Sequence, residues 1–170
     1  MLTGPASDNR PHWSRDGRWL YFHSDRSGTR EIWKMPAAGG TPIQITKGGG
    51  IEGWEAPDGK LLYYARSFTE PGLWAVPVSG GEEKPVLDAV WPREWAMADA
   101  GIYFIDFITS KPPVLRFFDF STRKVKEIMV MNKVVLERSQ DLTVTRDGRR
   151  VAWEQADRNE ADLVQIENFR

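Results

Sequence analysis

The chain has no cysteine in its 170 residues. Disulfides and thiolate chemistry are excluded, and either redox compartment stays open. There is no apolar run of about 18 residues, so no transmembrane helix is expected. No basic segment followed by an apolar core opens the chain, so no signal peptide is expected. Neither sign of charge is in excess, since 23 Lys plus Arg face 24 Asp plus Glu. A protein that neutralises many phosphates carries a basic surplus, so nucleic acid is not expected as a partner. Histidine is scarce, with only His12 and His23. These are read as beginning one strand and ending the next. Without clustered cysteines or carboxylates they make a poor metal site, and no metal or cofactor is expected. The Gly-x-Ser-x-Gly nucleophile elbow is also missing. Gly48-Gly49-Gly50 lacks a following Lys-Ser/Thr and a helix start, so it reads as a flexible link rather than a phosphate loop.

What is present is repetition. Trp13-Ser14-Arg15-Asp16-Gly17 is answered by Trp54-Glu55-Ala56-Pro57-Asp58-Gly59, by Trp95-Ala96-Met97-Ala98-Asp99-Ala100-Gly101 and by Val144-Thr145-Arg146-Asp147-Gly148. The turn glycines fall at 17, 59, 101 and 148, giving spacings of 42, 42 and 47. A period of about 40–45 residues holding several short strands is the signature of a β-propeller blade. The eight tryptophans recur at repeat-related sites, and blade packing is their expected role.

The first unit is the most complete. Asp16-Gly17 is a hairpin-turn dipeptide. Arg18 to Ser24 is an aromatic run that reads as a strand covered on both faces. After the polar turn Asp25-Arg26-Ser27-Gly28, Glu31 to Met35 makes a third strand. Pro36 to Gly40 breaks it. Thr41 to Thr46 alternates as an outer strand, with Pro42 where no ladder donor is needed. The expected architecture is all-β, a partial β-propeller of about four blade units in one domain over 1–170. The units span about 12–46, 53–88, 94–129 and 140–170. Val130 to Leu136 is a candidate extra strand between the third and fourth units. Asp16, Asp58 and Asp147 lie one per unit, too far apart for one ion, and are expected to cap turn amides. The fourth unit lacks an outer strand, and Leu2-Thr3 sits where Ile45-Thr46 sits in the first. On this reading the chain is the C-terminal part of a longer propeller, with open edges that invite self-association.

Trp-Ser-x-Asp-Gly, the aromatic strand, Ser24-Asp25-Arg26-Ser27-Gly28, Glu31-Ile32-Trp33, and Pro36 with Gly39-Gly40 together resemble the WD40-like repeat of bacterial TolB-type propellers. The likeness spans nearly the whole chain and is strongest in the first unit. It implies a propeller fold and a binding role with no single activity. Such propellers often follow a regulatory domain, such as a membrane-tethered winged helix or a kinase. The resemblance fits a parent in the periplasm or another extracytoplasmic place, although the chain itself does not specify a compartment. Similar repeats also form the gating propeller of prolyl-oligopeptidase-type peptidases.

In a propeller the loops joining strand two to three and blade to blade surround the channel mouth, and function on rigid scaffolds gathers on such loops. Here they carry Arg26, Arg30, Trp54, Arg93 and Trp95. Arginine beside tryptophan is a composition favoured in binding hot spots. The expectation is a non-catalytic platform, not an enzyme, for protein or ligand binding, with an acidic or peptide-like partner at these five residues. The alternatives are an accessory gating propeller of a peptidase and a structural fragment without ligand.

Overall fold

The computed structural model describes residues 5–131, 142–157 and 160–167, with side chains for 5–131, 142–154 and 164–167. Leu2-Thr3 and most of the candidate strand Val130–Leu136 lie outside these residues. The described chain is all-β and contains no helix. It forms four antiparallel sheets, the blade units of a partial β-propeller, and divides into two compact units, Met1–Asp88 and Ala89–Arg170.

The first unit holds two blades. β1 (Asp8–Trp13), β2 (Trp19–Ser24), β3 (Glu31–Pro36) and β4 (Ile43–Gln44) pair in chain order. So do β5 (Glu52–Glu55), β6 (Leu61–Ala65), β7 (Leu73–Pro77) and β8 (Lys84–Leu87). Tyr21, Ile32, Ile45, Leu62, Tyr64 and Val76 form its buried cluster. Removing side chains of this kind from water stabilises by about 1.5–3 kcal/mol each.

In the second unit, β9 (Trp95–Met97), β10 (Gly101–Asp106), β11 (Val114–Asp119) and β12 (Val125–Val130) pair in order. β13 (Thr143–Val144), β14 (Arg150–Asp157) and β15 (Glu160–Glu167) follow as a three-stranded sheet. Every residue of β10 is buried. This is the expected state of a strand covered on both faces.

The Asp-Gly turns are closed as their residues suggest. Asp16, Asp58 and Asp147 each accept a 3.0 Å bond from the amide two residues on, at Arg18, Lys60 and Arg149. Backbone bonds behind these turns align the blades: Ser14 to Trp19, Ala56 to Leu61, Ala98 to Gly101 and Thr145 to Arg150.

On that alignment Trp13, Trp54 and Trp95 are not equivalent. They precede the anchoring residue by one, two and three positions. Their exposures differ accordingly, at 61%, 45% and 2%. Core packing therefore describes Trp95, whereas Trp13 and Trp54 present surface.

Three further expectations need correction. The outer strand of the first blade shrinks to Ile43–Gln44, because Thr46 satisfies the Ile32 amide with its hydroxyl at 2.8 Å. His12 stands near the end of β1 and not at its start. Gly48-Gly49-Gly50 is a bonded turn and not a loose link. Gly48 donates to Glu83, Gly49 to Glu31 and Gly50 to the Arg30 carbonyl.

Candidate binding cleft between the first two blades

The site begins with an irregularity in β1. Asn9 pairs with His23 and His12 with Tyr21, so one extra residue is accommodated at Arg10-Pro11. Arg10 takes a positive φ of 51°. Pro11 has no N–H to lose from the ladder. A bulge of this kind re-aims the side chains around it. The His12 ring then stacks on Tyr21, 5.4 Å between centroids, and reaches Trp54 of β5 at 4.7 Å. β5 can come this close because residue 53 is glycine. A Cβ there would stand 2.6 Å from Ile32 Cδ1.

Between these strands lies a cavity of about 200 Å³, lined by Arg10, His12, Phe22, His23, Glu52 and Trp54 among others. Arg10 pairs with Glu52 at 3.6 Å. His23 Nδ1 lies 2.5 Å from the Ile51 carbonyl oxygen. A carbonyl only accepts, so Nδ1 carries the proton. His12 Nδ1 faces the Arg10 carbonyl at 3.5 Å, a long and weak contact.

Burial pushes both imidazoles below their ordinary value and keeps them neutral. For His12 the bond to Arg10 opposes this shift. For His23 the bond to Ile51 opposes it, while the charges of Arg30 and Arg10 reinforce it. In His23 the Nε2 is then a lone-pair acceptor. His12 Nε2 is buried and has no hydrogen-bond partner among the described residues.

An adjoining, more open recess of about 500 Å³ includes Thr29, Arg30, Lys47, Arg66 and Phe68 in its lining. Phe68 is 41% exposed, with the Arg10 and Arg30 guanidinium groups 5.8 and 5.9 Å from its ring centre. Two carboxylates brace the turn beneath. Buried Glu31 accepts from Thr29, Thr46 and the Gly49 amide. Glu83 accepts from Tyr64 and Arg66 at 2.7 Å each and from the Lys47 amide at 2.5 Å. The Arg66 guanidinium also stacks 3.2 Å over Trp74, so its charge is already engaged.

Of the five residues expected at the mouth, Arg30 and Trp54 line these adjoining hollows. Arg26 is engaged elsewhere in the blade, 2.7 Å from Asp8 and over the rings of Phe22 and Trp33. Arg93 and Trp95 belong to the second unit. Arg93 has φ 72° in the turn closed by Glu94 N to Trp91 O, and Trp95 is buried in β9. Arg10 and His12 were not expected at the site. The Arg10-Pro11 step inside a strand was the legible signal for both. Among the described residues, no group of three His, Asp or Glu stands together to hold a metal ion. No described helix is long and apolar enough to cross a membrane.

No family model matches the chain. An uncharacterized protein of Agrobacterium fabrum is 40% identical over 46 residues, 27% of this chain and 16% of that protein. A “Probable dipeptidyl peptidase 4” of Aspergillus fumigatus is 25% identical over 134 residues, 71% of this chain and 17% of that protein. The chain thus spans about a sixth of the length of these curated relatives. Among solved structures, TolB from Acinetobacter baumannii superposes with a TM-score of 0.70 at 17% identity, covering 92% of this chain and 40% of TolB. A chain of the nidogen/laminin complex gives 0.65 at 12% identity, covering 94% of this chain and 64% of that one. A prolyl endopeptidase gives 0.67 at 12% identity, covering 97% of this chain and 28% of that one. The chain has the blade fold of TolB-like β-propellers, a fold that these structures show in both peptidases and other proteins.

Proposed function

We propose that the chain is a non-catalytic binding platform whose cleft between the first two blades receives an acidic segment of a protein or peptide partner. The observation that carries this reading is Arg30. Its guanidinium lies over exposed Phe68 and makes no salt bridge among the described residues. Arg10 stands over the same ring, and Lys47 lines the same recess. Arginine can fork to a carboxylate while its plane rests on an aromatic face. Arg30 and Trp54 are the contact residues on this reading. Arg26 shapes the blade beneath, whereas Arg93 and Trp95 belong to the second unit.

The imidazoles support a non-catalytic role. Each hydrogen-bonds a backbone carbonyl and not a carboxylate, so neither is oriented as a general base. The propeller would belong to a larger bacterial sensory or regulatory protein. The likeness to peptidases supports a second reading, in which the chain gates access to a hydrolase partner.

The test is an affinity measurement with acidic peptides on the full chain. Arg30→Ala should weaken binding by about 1–2 kcal/mol, the range of a hot-spot loss. Lys60→Ala, beside the Asp58-Gly59 turn, should change it little. Equal losses from both variants would overturn the assignment.

A further inference from the structure

We propose that the acidic segment and a proton are taken up together: a carboxylate seated on Arg30 is accompanied by protonation of His23, so the cleft holds its ligand more tightly as pH falls. The proposal rests on the reading of this cleft as an acidic-peptide site and adds its regulation.

Phe68 is the common neighbour of Arg10, Arg30 and His23. The two guanidinium carbons lie 5.8 and 5.9 Å from its ring centre, and the His23 ring meets it edge-on with centroids 6.5 Å apart. His23 is 5% exposed. Charges this close, with a phenyl ring between them, are screened less than charges in open water. His23 therefore senses whatever stands on the two arginines. In the free chain it senses cations. Burial is the main reason its imidazole lies below the ordinary value, and the Arg30 and Arg10 charges add to it. A ligand carboxylate on Arg30 puts a negative charge beside the positive one and offsets its effect on the ring.

The other charged groups around His23 are already engaged. Asp25, in the turn after β2, opposes the arginines and accepts from the Ser7 amide at 2.8 Å. Glu52 of β5 pairs with Arg10, and Arg66 with Glu83. Glu31 of β3 is held by Thr29, Thr46 and Gly49. His12 of β1 is kept neutral by its burial, and Lys47 lines the adjoining recess. Arg30 makes no salt bridge among the described residues, so an added charge there changes what His23 feels. His23 Nδ1 donates to the Ile51 carbonyl, and the new proton comes from solvent to Nε2. The liganded chain then binds more protons than the free chain. By linkage, affinity rises as pH falls through the liganded value of His23 and levels off below the free value.

The chain has only two histidines, so NMR can follow both imidazoles in the full chain with and without a blocked Glu-Ala-Glu tripeptide. The peptide should raise the titration midpoint of His23 and leave that of His12 nearly in place. Calorimetry should show binding about threefold tighter at about pH 5.5 than at about pH 7.5, the scale of one unit charge several ångströms away in a watery cleft. The peptide carboxylates, with ordinary values of about 4.3, stay ionised over this interval, and their own protonation would weaken binding instead. In His23→Asn, which keeps a donor for the Ile51 carbonyl, the gain should vanish while affinity at the higher pH is retained. Equal affinity at the two pH values, or an unmoved His23 midpoint, overturns the proton coupling and leaves the acidic cleft standing. A midpoint that moves at His12 in place of His23, or a gain that survives in His23→Asn, also overturns it. No binding at either pH overturns the acidic reading and this inference with it. The titration of the native chain needs no variant, so a misfolded His23→Asn does not protect the proposal.

Discussion

The Thr46 hydroxyl donates a 2.6 Å hydrogen bond to the carboxylate of Glu31, and both residues are buried, at 0% and 1% exposure. The same hydroxyl accepts from the Ile32 amide at 2.8 Å. Gly49 adds its own amide to both Glu31 oxygens at 3.1 Å. One side chain from β3 thus ties together the end of the first blade and the turn into the second.

Removing that carboxylate should be costly. In Glu31→Ala the Gly49 amide loses its acceptor, and the Thr46 hydroxyl loses one of its partners. A buried polar group left without a partner costs about 1–3 kcal/mol. We expect a loss of about 2–3 kcal/mol in denaturant unfolding. A loss under about 0.5 kcal/mol, the scale of a neutral surface change, would show that the network does not hold the turn.

The two close-approach glycines should differ. A Cβ at residue 50 would meet the Ile32 backbone nitrogen at 2.9 Å and Thr46 Oγ1 at 2.7 Å. At residue 53 the nearest atom is Ile32 Cδ1, the free end of a side chain. Overpacking typically costs about 1–3 kcal/mol, and more where backbone must move. Gly50→Ala should therefore destabilise more than Gly53→Ala in thermal melts. The reverse order would contradict the geometry.

Acid should weaken the first unit. Burial holds His12 and His23 below the ordinary histidine value of 6.5. The unfolded chain then takes up these protons before the folded chain does. Stability is whole above the unfolded value and falls as pH drops below it toward the folded values. We expect Tm to decrease between about pH 7 and pH 5, and His12→Phe to shrink that decrease. A Tm that rises on acidification over this interval would refute the assignment of neutral imidazoles.

Trp95 and Arg30 should separate stability from recognition. Trp95 is 2% exposed, and truncation of such a residue to Ala costs about 3–5 kcal/mol. Arg30 is exposed, and Arg30→Ala should stay within about 0.5 kcal/mol of the native unfolding free energy. Comparable unfolding midpoints for the two variants would show that Trp95 contributes no more to stability than Arg30.

Much of the fold was legible in residue order. The turn glycines at 17, 59 and 148, with Asp16, Asp58 and Asp147 before them, specify hairpins because the aspartate oxygen reaches the amide two residues on. Runs such as Ile102 to Ile105 specify strands covered on both faces because neither face alternates to polar. Those are local interactions, and local sequence contains them. Which tryptophan faces water was decided elsewhere. Trp13, Trp54 and Trp95 look alike along the chain, yet they stand at different distances from the closing hydrogen bond, and what packs over each one differs. Arg10 and His12 likewise reached the cleft through a bulge and through the approach of β5 over Gly53. Glu31 and Glu83 became braces because amides and hydroxyls from residues 15 to 36 positions away converge on them. Sequence determined the strands and turns of the blades. Tertiary packing between neighbouring blades decided which side chains became surface, brace or cleft, since burial and partner choice are set by residues far apart in the chain.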